Sequence, residues 1–143
     1  MRFWDSSALV PLFVAEVFSR RVARWLSSDP VVVVWTLSRV EIISAIARRA
    51  REQPGSASLR RVRREVLAMS ERWSEVTALE QVRRHAERVL LAHPLGAADA
   101  LQIGAAIVGA EGDPPGLEFV TLDQRLADVA EREGFRVLSR ESR

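Results

Sequence analysis

The sequence predicts an α/β fold, with a mostly parallel sheet covered by helices on both faces. Three observations carry this. Short strand-like runs alternate with helical stretches, and each parallel crossover needs such a stretch. Residues 31–36, VVVVWT, form a nearly unbroken β-branched run, the mark of a strand buried on both faces. No repeat, low-complexity tract or composition break divides the 143 residues, so one domain spanning 1–143 with its own core is expected.

The elements follow in order. Arg2–Asp5 is a short apolar strand. Residues 6–28 carry Leu9, Leu12, Phe13, Val17, Phe18, Val22, Trp25 and Leu26 at helical spacing, with Pro11 in a first turn or splitting the run into two helices. Asp29-Pro30 is a turn signal, and Val31–Thr36 is the buried strand. Ser38–Gln53 is a helix with Ile42, Ile43, Ile46 and Ala47 inward, ended by Pro54-Gly55. Ser56–Trp73 is a second helix, striped by Leu59, Val62, Val66, Met69 and Trp73. Ser74–Ala78 is a weak strand, and Leu79–Ala92 a helix stopped by His93-Pro94. Gly96–Ala110, GAADALQIGAAIVGA, reads as a buried helix; GDPPG at 112–116 is a loop. Leu117–Leu122 is a strand, Gln124–Glu133 a helix with Gly134 as its C-cap, and Phe135–Ser139 the last strand.

Composition narrows the chemistry. The chain has no cysteine, which excludes disulfides, thiolate metal sites and cysteine nucleophiles and makes a cytoplasmic location the default. No apolar run approaches the roughly eighteen residues of a membrane span, and an acid at position 5 is unlike a secretory signal. Net charge is +2 although the pI is near 10.7, because no side chain here titrates between histidine and arginine. The high pI is therefore a weak argument for nucleic acid. Clustering is a better one: residues 48–64 hold seven arginines against one glutamate. All-arginine basicity in an Ala-rich chain without Lys, Tyr or Asn also fits the codon bias of a GC-rich genome.

Four acids occupy one kind of place. Asp5 ends the first strand, Glu41 lies in the first turn after VVVVWT, Asp99 in the first turns of the small-residue helix, and Asp123 after the strand EFVTL. Each has a local explanation. Asp5 and Asp123 fit N-caps worth about 1 kcal/mol. Ser38-Arg39-Val40-Glu41 fits a capping box. Asp99 suits a helix dipole. Taken together they invite another. Strand C-termini and the following helix N-termini share one edge of a parallel sheet, where ligands bind. Two carboxylates about 5 Å apart repel by about 3 kcal/mol at an effective dielectric near 20. A proton or a cation offsets that. An all-oxygen donor set suits a hard ion, Mg²⁺ or Mn²⁺, and phosphodiester hydrolysis is the matching reaction.

The same residues resemble a family. RFWDSSALVPLF, LSRVEIISAIAR, GAADALQIGAA and FVTLDQRLADVAEREGFRVL resemble, in order, the four motifs of PIN-domain ribonucleases. Length and layout resemble VapC-type toxins of bacterial toxin–antitoxin pairs. The resemblance implies a three-layer α/β/α sandwich and Mg²⁺- or Mn²⁺-dependent cleavage of RNA. Asp5, Glu41, Asp99 and Asp123 would be the acidic quartet, Asp5 and Asp99 foremost as metal ligands. Ser6 and Thr121 would orient carboxylates or water through their hydroxyls. Asp128 departs from the family pattern, either as a decoy for Asp123 or as a surface acid. A cognate antitoxin and a homodimer are the implied partners, and no membrane.

Two other readings stay open. One is an acid-pocket phosphohydrolase of small esters, although Ser7 stands where such enzymes place a second Asp and no lysine exists to steady a phosphate. The other is a non-catalytic module holding RNA or protein through its arginines. The arginine cluster 48–64 suits RNA, an acidic antitoxin segment or plain solvent. The four tryptophans lie in apolar patterns and read as core. His85 reads as exposed and His93 as a turn residue. The Leu59–Trp73 stripe looks wider than one small core can bury, which suggests a partner surface.

Overall fold

The computed structural model describes residues 1–55 and 58–143. Five short strands form one sheet: β1 (Arg2–Trp4), β2 (Val32–Trp35), β3 (Ser74–Val76), β4 (Glu118–Val120) and β5 (Val137–Leu138). Every pairing is parallel and the order is β3-β2-β1-β4-β5. From β1 the chain winds outward through β2 to β3, then crosses back to lay β4 on the other side of β1. The order therefore reverses at β1. In open parallel sheets such a reversal leaves a crevice beyond the strand C-termini.

Among the described residues seven α-helices cover the sheet: α1 (Ser6–Leu9), α2 (Ser19–Ser28), α3 (Ser38–Glu52), α4 (Leu59–Ser70), α5 (Leu79–Ala92), α6 (Ala97–Gly109) and α7 (Gln124–Arg132). Strand side chains alternate between two cores. Phe3, Val33, Trp35 and Phe119 join residues of α5, α6 and α7. Trp4, Val32, Val34 and Val120 join residues of α1 to α4. That makes a three-layer sandwich and explains why VVVVWT is apolar at successive positions.

Residues 6–28, expected as one helix with Pro11 in its first turn or as two helices split there, form two α-helices with a 3-10 turn after the first. Pro11 lies in a 3-10 turn, Val10–Leu12, between α1 and a loop leading to α2. A ring without an N–H suits a tight first turn but not a helix interior. The helix expected from Ser56 is described from Leu59 to Ser70; Ser56 and Ala57 lie outside the described residues. Its stripe is not surplus. Val62 and Val66 are buried, Met69 and Trp73 pack against the same core, and Leu59 alone is left largely outside. Among the described residues the most exposed leucines on a helix are Leu79 and Leu91 of α5.

α6 packs closely along α5 because Gly104 lets it. A Cβ there would lie 2.7 Å from the Val82 carbonyl oxygen, below any normal contact. At the end of α7, Gly134 takes φ +96°, the left-handed turn that closes a helix. Behind it, Glu133 accepts from Arg88 (2.5 Å) and pairs with His93 (2.8 Å), tying α5 to the close of α7. His93 thus has a structural partner away from the acids. His85 is half-buried, not exposed.

Candidate active site

Asp5 leaves the end of β1, the central strand, and its amide donates to the carbonyl of Val120 on β4 (2.9 Å). The carboxylate is 3% exposed. Its Oδ2 accepts the Ser7 amide (3.2 Å), the Thr121 hydroxyl (2.9 Å) and the Ser7 hydroxyl. The first of these caps α1, so the local explanation for Asp5 holds as far as it goes. Among the described residues Oδ1 has only the Ser6 hydroxyl, at 3.5 Å.

Two hydroxyls lock Asp5 to the neighbouring strand. Ser7 Oγ accepts from the Leu122 amide (2.9 Å), and Thr121 Oγ1 from the Asp123 amide (3.1 Å). Each then has its proton free to give to Asp5. Backbone amides at the end of β4 therefore set the position of a carboxylate after β1. The sequence marked Ser7 only as the place where a rival chemistry would need a second Asp, because a serine in a first helical turn has many ordinary uses; only the β1–β4 pairing shows what it bridges.

Glu41 does not close a capping box. The residue before α3 is Leu37, no side chain caps the helix, and Ser38 is fully buried. Glu41 instead reaches out of its helix. Its Oε2 accepts from Ser6 Oγ (3.2 Å) and its Oε1 from Gln102 Nε2 (2.9 Å). Gln102 is itself fully buried, and its Nε2 also donates to Ser38 Oγ (3.2 Å). One turn after Asp99 on α6, it joins the start of α6 to the start of α3. The sequence offered a hint in a lone amide on an apolar face, since buried amides require partners.

Asp99 lies half-buried in the first turn of α6, with no hydrogen-bond donor among the described residues. Asp123 caps α7 by accepting the Leu126 amide (3.2 Å). Asp128 is exposed and takes the Gln124 side chain (2.9 Å), so it is a surface acid apart from these four.

The four acids repel one another. Burial above all, with Asp99 nearby, raises Asp5, despite the donors that pull it down. Glu41 is pushed up to about 7, mainly by burial and then by Asp5, with Asp99 adding to it. Burial and then Asp123 raise Asp99, and Arg125 is the one cation that counters this. The carboxylates share a field but do not form a closed cage. Among the described residues no three acidic or imidazole groups are clustered tightly enough to clasp one ion outright. The donor chemistry fits a divalent ion all the same. Asp5 is buried without a cation beside it, and both Asp5 Oδ1 and Asp99 have little else to bind. Hard oxygens in a crowded, partly buried field are what Mg²⁺ or Mn²⁺ takes.

The PIN domain pattern matches residues 2–132. No curated protein matches the sequence. Solved structures do match in fold. The sarcin–ricin-loop-cleaving toxin VapC20 of Mycobacterium tuberculosis is 21% identical with a TM-score of 0.65, covering 94% of this chain and 96% of its own. FitAcB of Neisseria gonorrhoeae is 15% identical with a TM-score of 0.64, covering 96% of each chain. A toxin–antitoxin complex of Klebsiella pneumoniae is 12% identical with a TM-score of 0.62, covering 87% of this chain and 88% of that one. Among the described residues no helix is long and apolar enough to cross a membrane. With the family pattern running from the first strand into the last helix, this chain belongs to the PIN-domain family.

Proposed function

We propose that this chain is a Mg²⁺- or Mn²⁺-dependent endoribonuclease and the toxin of a type II toxin–antitoxin pair. The observation that carries the reading is the crowding of Asp5, Glu41 and Asp99. Burial raises all three; Asp5 and Asp99 repel Glu41, Asp99 repels Asp5 and Asp123 repels Asp99, while among the described residues Arg125 offsets this at Asp99 alone. A purely structural cluster with this cost has no reason to persist, whereas a cation-binding one does. PIN domains are generally nucleases, and several structural neighbours are toxins crystallised with antitoxins, as in the VapBC2 complex of Rickettsia felis. That supports an antitoxin partner here.

Asp5 and Asp99 would hold the ion, with Glu41 and Asp123 completing its surroundings. When bound, the ion makes water a stronger nucleophile at neutral pH and stabilises the departing oxygen. The chain's own residues do the rest. Ser7 and Thr121 keep Asp5 from turning away, because each hydroxyl is oriented by a backbone amide. Ser6 spans Asp5 and Glu41, and with Glu41 it is placed to orient a water. Gln102 holds Glu41 toward the other acids and away from its own helix end. A homodimer resting on the exposed leucines of α5 and a cytoplasmic location complete the proposal.

Single-stranded RNA incubated with Mg²⁺ should be cut, and EDTA should abolish cutting. Asp99→Asn should lower the rate at least about 100-fold, as loss of a ligand holding the charge-stabilising ion would, and should weaken Mn²⁺ binding measured by calorimetry. Undiminished cleavage by that variant would overturn the site. Hydrolysis of a small phosphate ester with RNA left intact would favour the acid-pocket alternative, against which stands Ser7, its hydroxyl committed to Asp5 and Leu122.

A further inference from the structure

A trough of about 540 Å³ opens beside Glu41. Ser6, Ser7, Glu41 and Glu16 line it together with Arg48, Arg49 and Arg140. Its floor is one face of α3. Glu41, Ser44, Ala45 and Arg48 stand at i, i+3, i+4 and i+7, a single stripe along the helix. Arg48 is thus about two turns, or about 10 Å, from Glu41.

The three arginines differ. Arg49 is committed: its guanidinium pairs with Glu16 at 2.5 Å and reaches the Ala45 carbonyl. Arg48 and the Arg140 guanidinium have no carboxylate partner among the described residues. Arg140 is nevertheless held in place. Its guanidinium lies 5.4 Å from the centre of the Phe18 ring, and its carbonyl accepts from Arg21 (2.5 Å). Arg21 also lies 5.4 Å from the same ring centre. With two guanidiniums against it, Phe18 serves as a seat for cations rather than a platform for a base.

We infer that this trough is the track for single-stranded RNA flanking the scissile bond, with Arg48 and Arg140 each holding a backbone phosphate. The inference rests on the nuclease reading. If the phosphate to be cut lies at the carboxylates, the strand must leave along an open path, and an acidic centre repels it unless cations follow closely. This trough reaches the acidic cluster at Glu41 and Ser6 and supplies, among the described residues, two cations without a carboxylate partner. Its volume is that of a small-ligand site, which suits a short length of single strand and not a duplex. Because the arginines meet phosphates and Phe18 is covered, the contact is indifferent to base identity.

The test is binding of a short fluorescent single-stranded RNA in EDTA, where no cutting occurs, followed by anisotropy across a salt series. Arg48→Ala with Arg140→Ala should weaken binding at least about tenfold. The dependence of log affinity on log salt should become shallower by about 0.7 per arginine, about 1.4 together, as expected for two lost phosphate contacts. R48K with R140K should restore most of both, and Arg24→Ala on α2 should change neither. An unchanged affinity and salt slope in the folded double alanine variant would overturn the track. So would loss of binding to a polyglutamate peptide with RNA binding intact, which would assign the trough to an acidic protein segment. Cleavage in Mg²⁺ separates the two ideas. A wild type that binds through these arginines but never cuts would sink the nuclease reading and leave the track standing. A wild type that cuts, with its KM unmoved in the double variant, would do the reverse.

Discussion

Glu41→Gln should make the protein more stable above neutral pH, in the absence of divalent ions, while disabling it as an enzyme. The usual midpoint of a glutamate, 4.5, is raised here to about 7 by burial and by Asp5. Folding therefore takes up a proton between those two values, because the folded chain keeps the carboxyl neutral more firmly than the unfolded chain does. The stability this group contributes is fully present below pH 4.5 and is lost as pH rises to about 7. Unscreened, the span corresponds to about 3.4 kcal/mol. The group is only partly buried, so about 1–2 kcal/mol is the realistic penalty. Glutamine is nearly isosteric. Its carbonyl can still accept from Gln102, and its amide can donate to the Ser6 hydroxyl in place of the present bond. The variant should melt about 3–8 °C higher than wild type at pH 8 in EDTA, and at the same temperature near pH 4.5. Mg²⁺ at ten times its dissociation constant should raise wild-type stability by about 1.4 kcal/mol and that of the variant by less. Thermal melts followed by circular dichroism, with and without Mg²⁺, measure all of this. A variant less stable than wild type by the same amount at pH 5 and pH 8 would refute the reasoning, since Glu41 would then be supporting the start of α3 and not crowding its neighbours.

Other outcomes follow from single contacts. Gln102→Leu removes the donor to both Glu41 and Ser38; activity should fall about tenfold or more, in the range typical of residues that support ligands, and the pH at which activity appears should rise because Glu41 loses a bond favouring its charge. Ser7→Ala strands the buried Leu122 amide and takes a donor from Asp5; a loss of about 1–3 kcal/mol is expected in urea denaturation. Gly104→Ala drives a methyl into the Val82 carbonyl, and separating α5 from α6 should destabilise the fold by about 1–3 kcal/mol, with unchanged stability arguing against the close approach.

What was legible in the sequence is what local periodicity reports. The β-branched run at 31–36, the amphipathic stretches between strands and the small residues of 96–110 each announced their element, because burial on one face or two leaves a pattern over a few neighbouring residues. The four acids stood out because each begins or precedes a helix. Their surroundings were not readable. A proline at 11 was known to interrupt a helix, but not that the chain would loop from Phe13 to α2. Ser38 and Glu41 matched a capping box, yet both side chains spend their hydrogen bonds on Gln102 and Ser6.

The sequence by itself determined the fold class, the approximate place of every element and the position of four carboxylates at element starts. Only the tertiary structure decided that β1 lies between β2 and β4, so that Asp5 meets Thr121 from 116 residues away and Glu41 meets Gln102 from 61. The reason is physical. Periodicity records which face of an element is buried, but strand order and partner choice are settled by the packing of both cores at once, and that packing joins residues too far apart in the chain to leave a local trace.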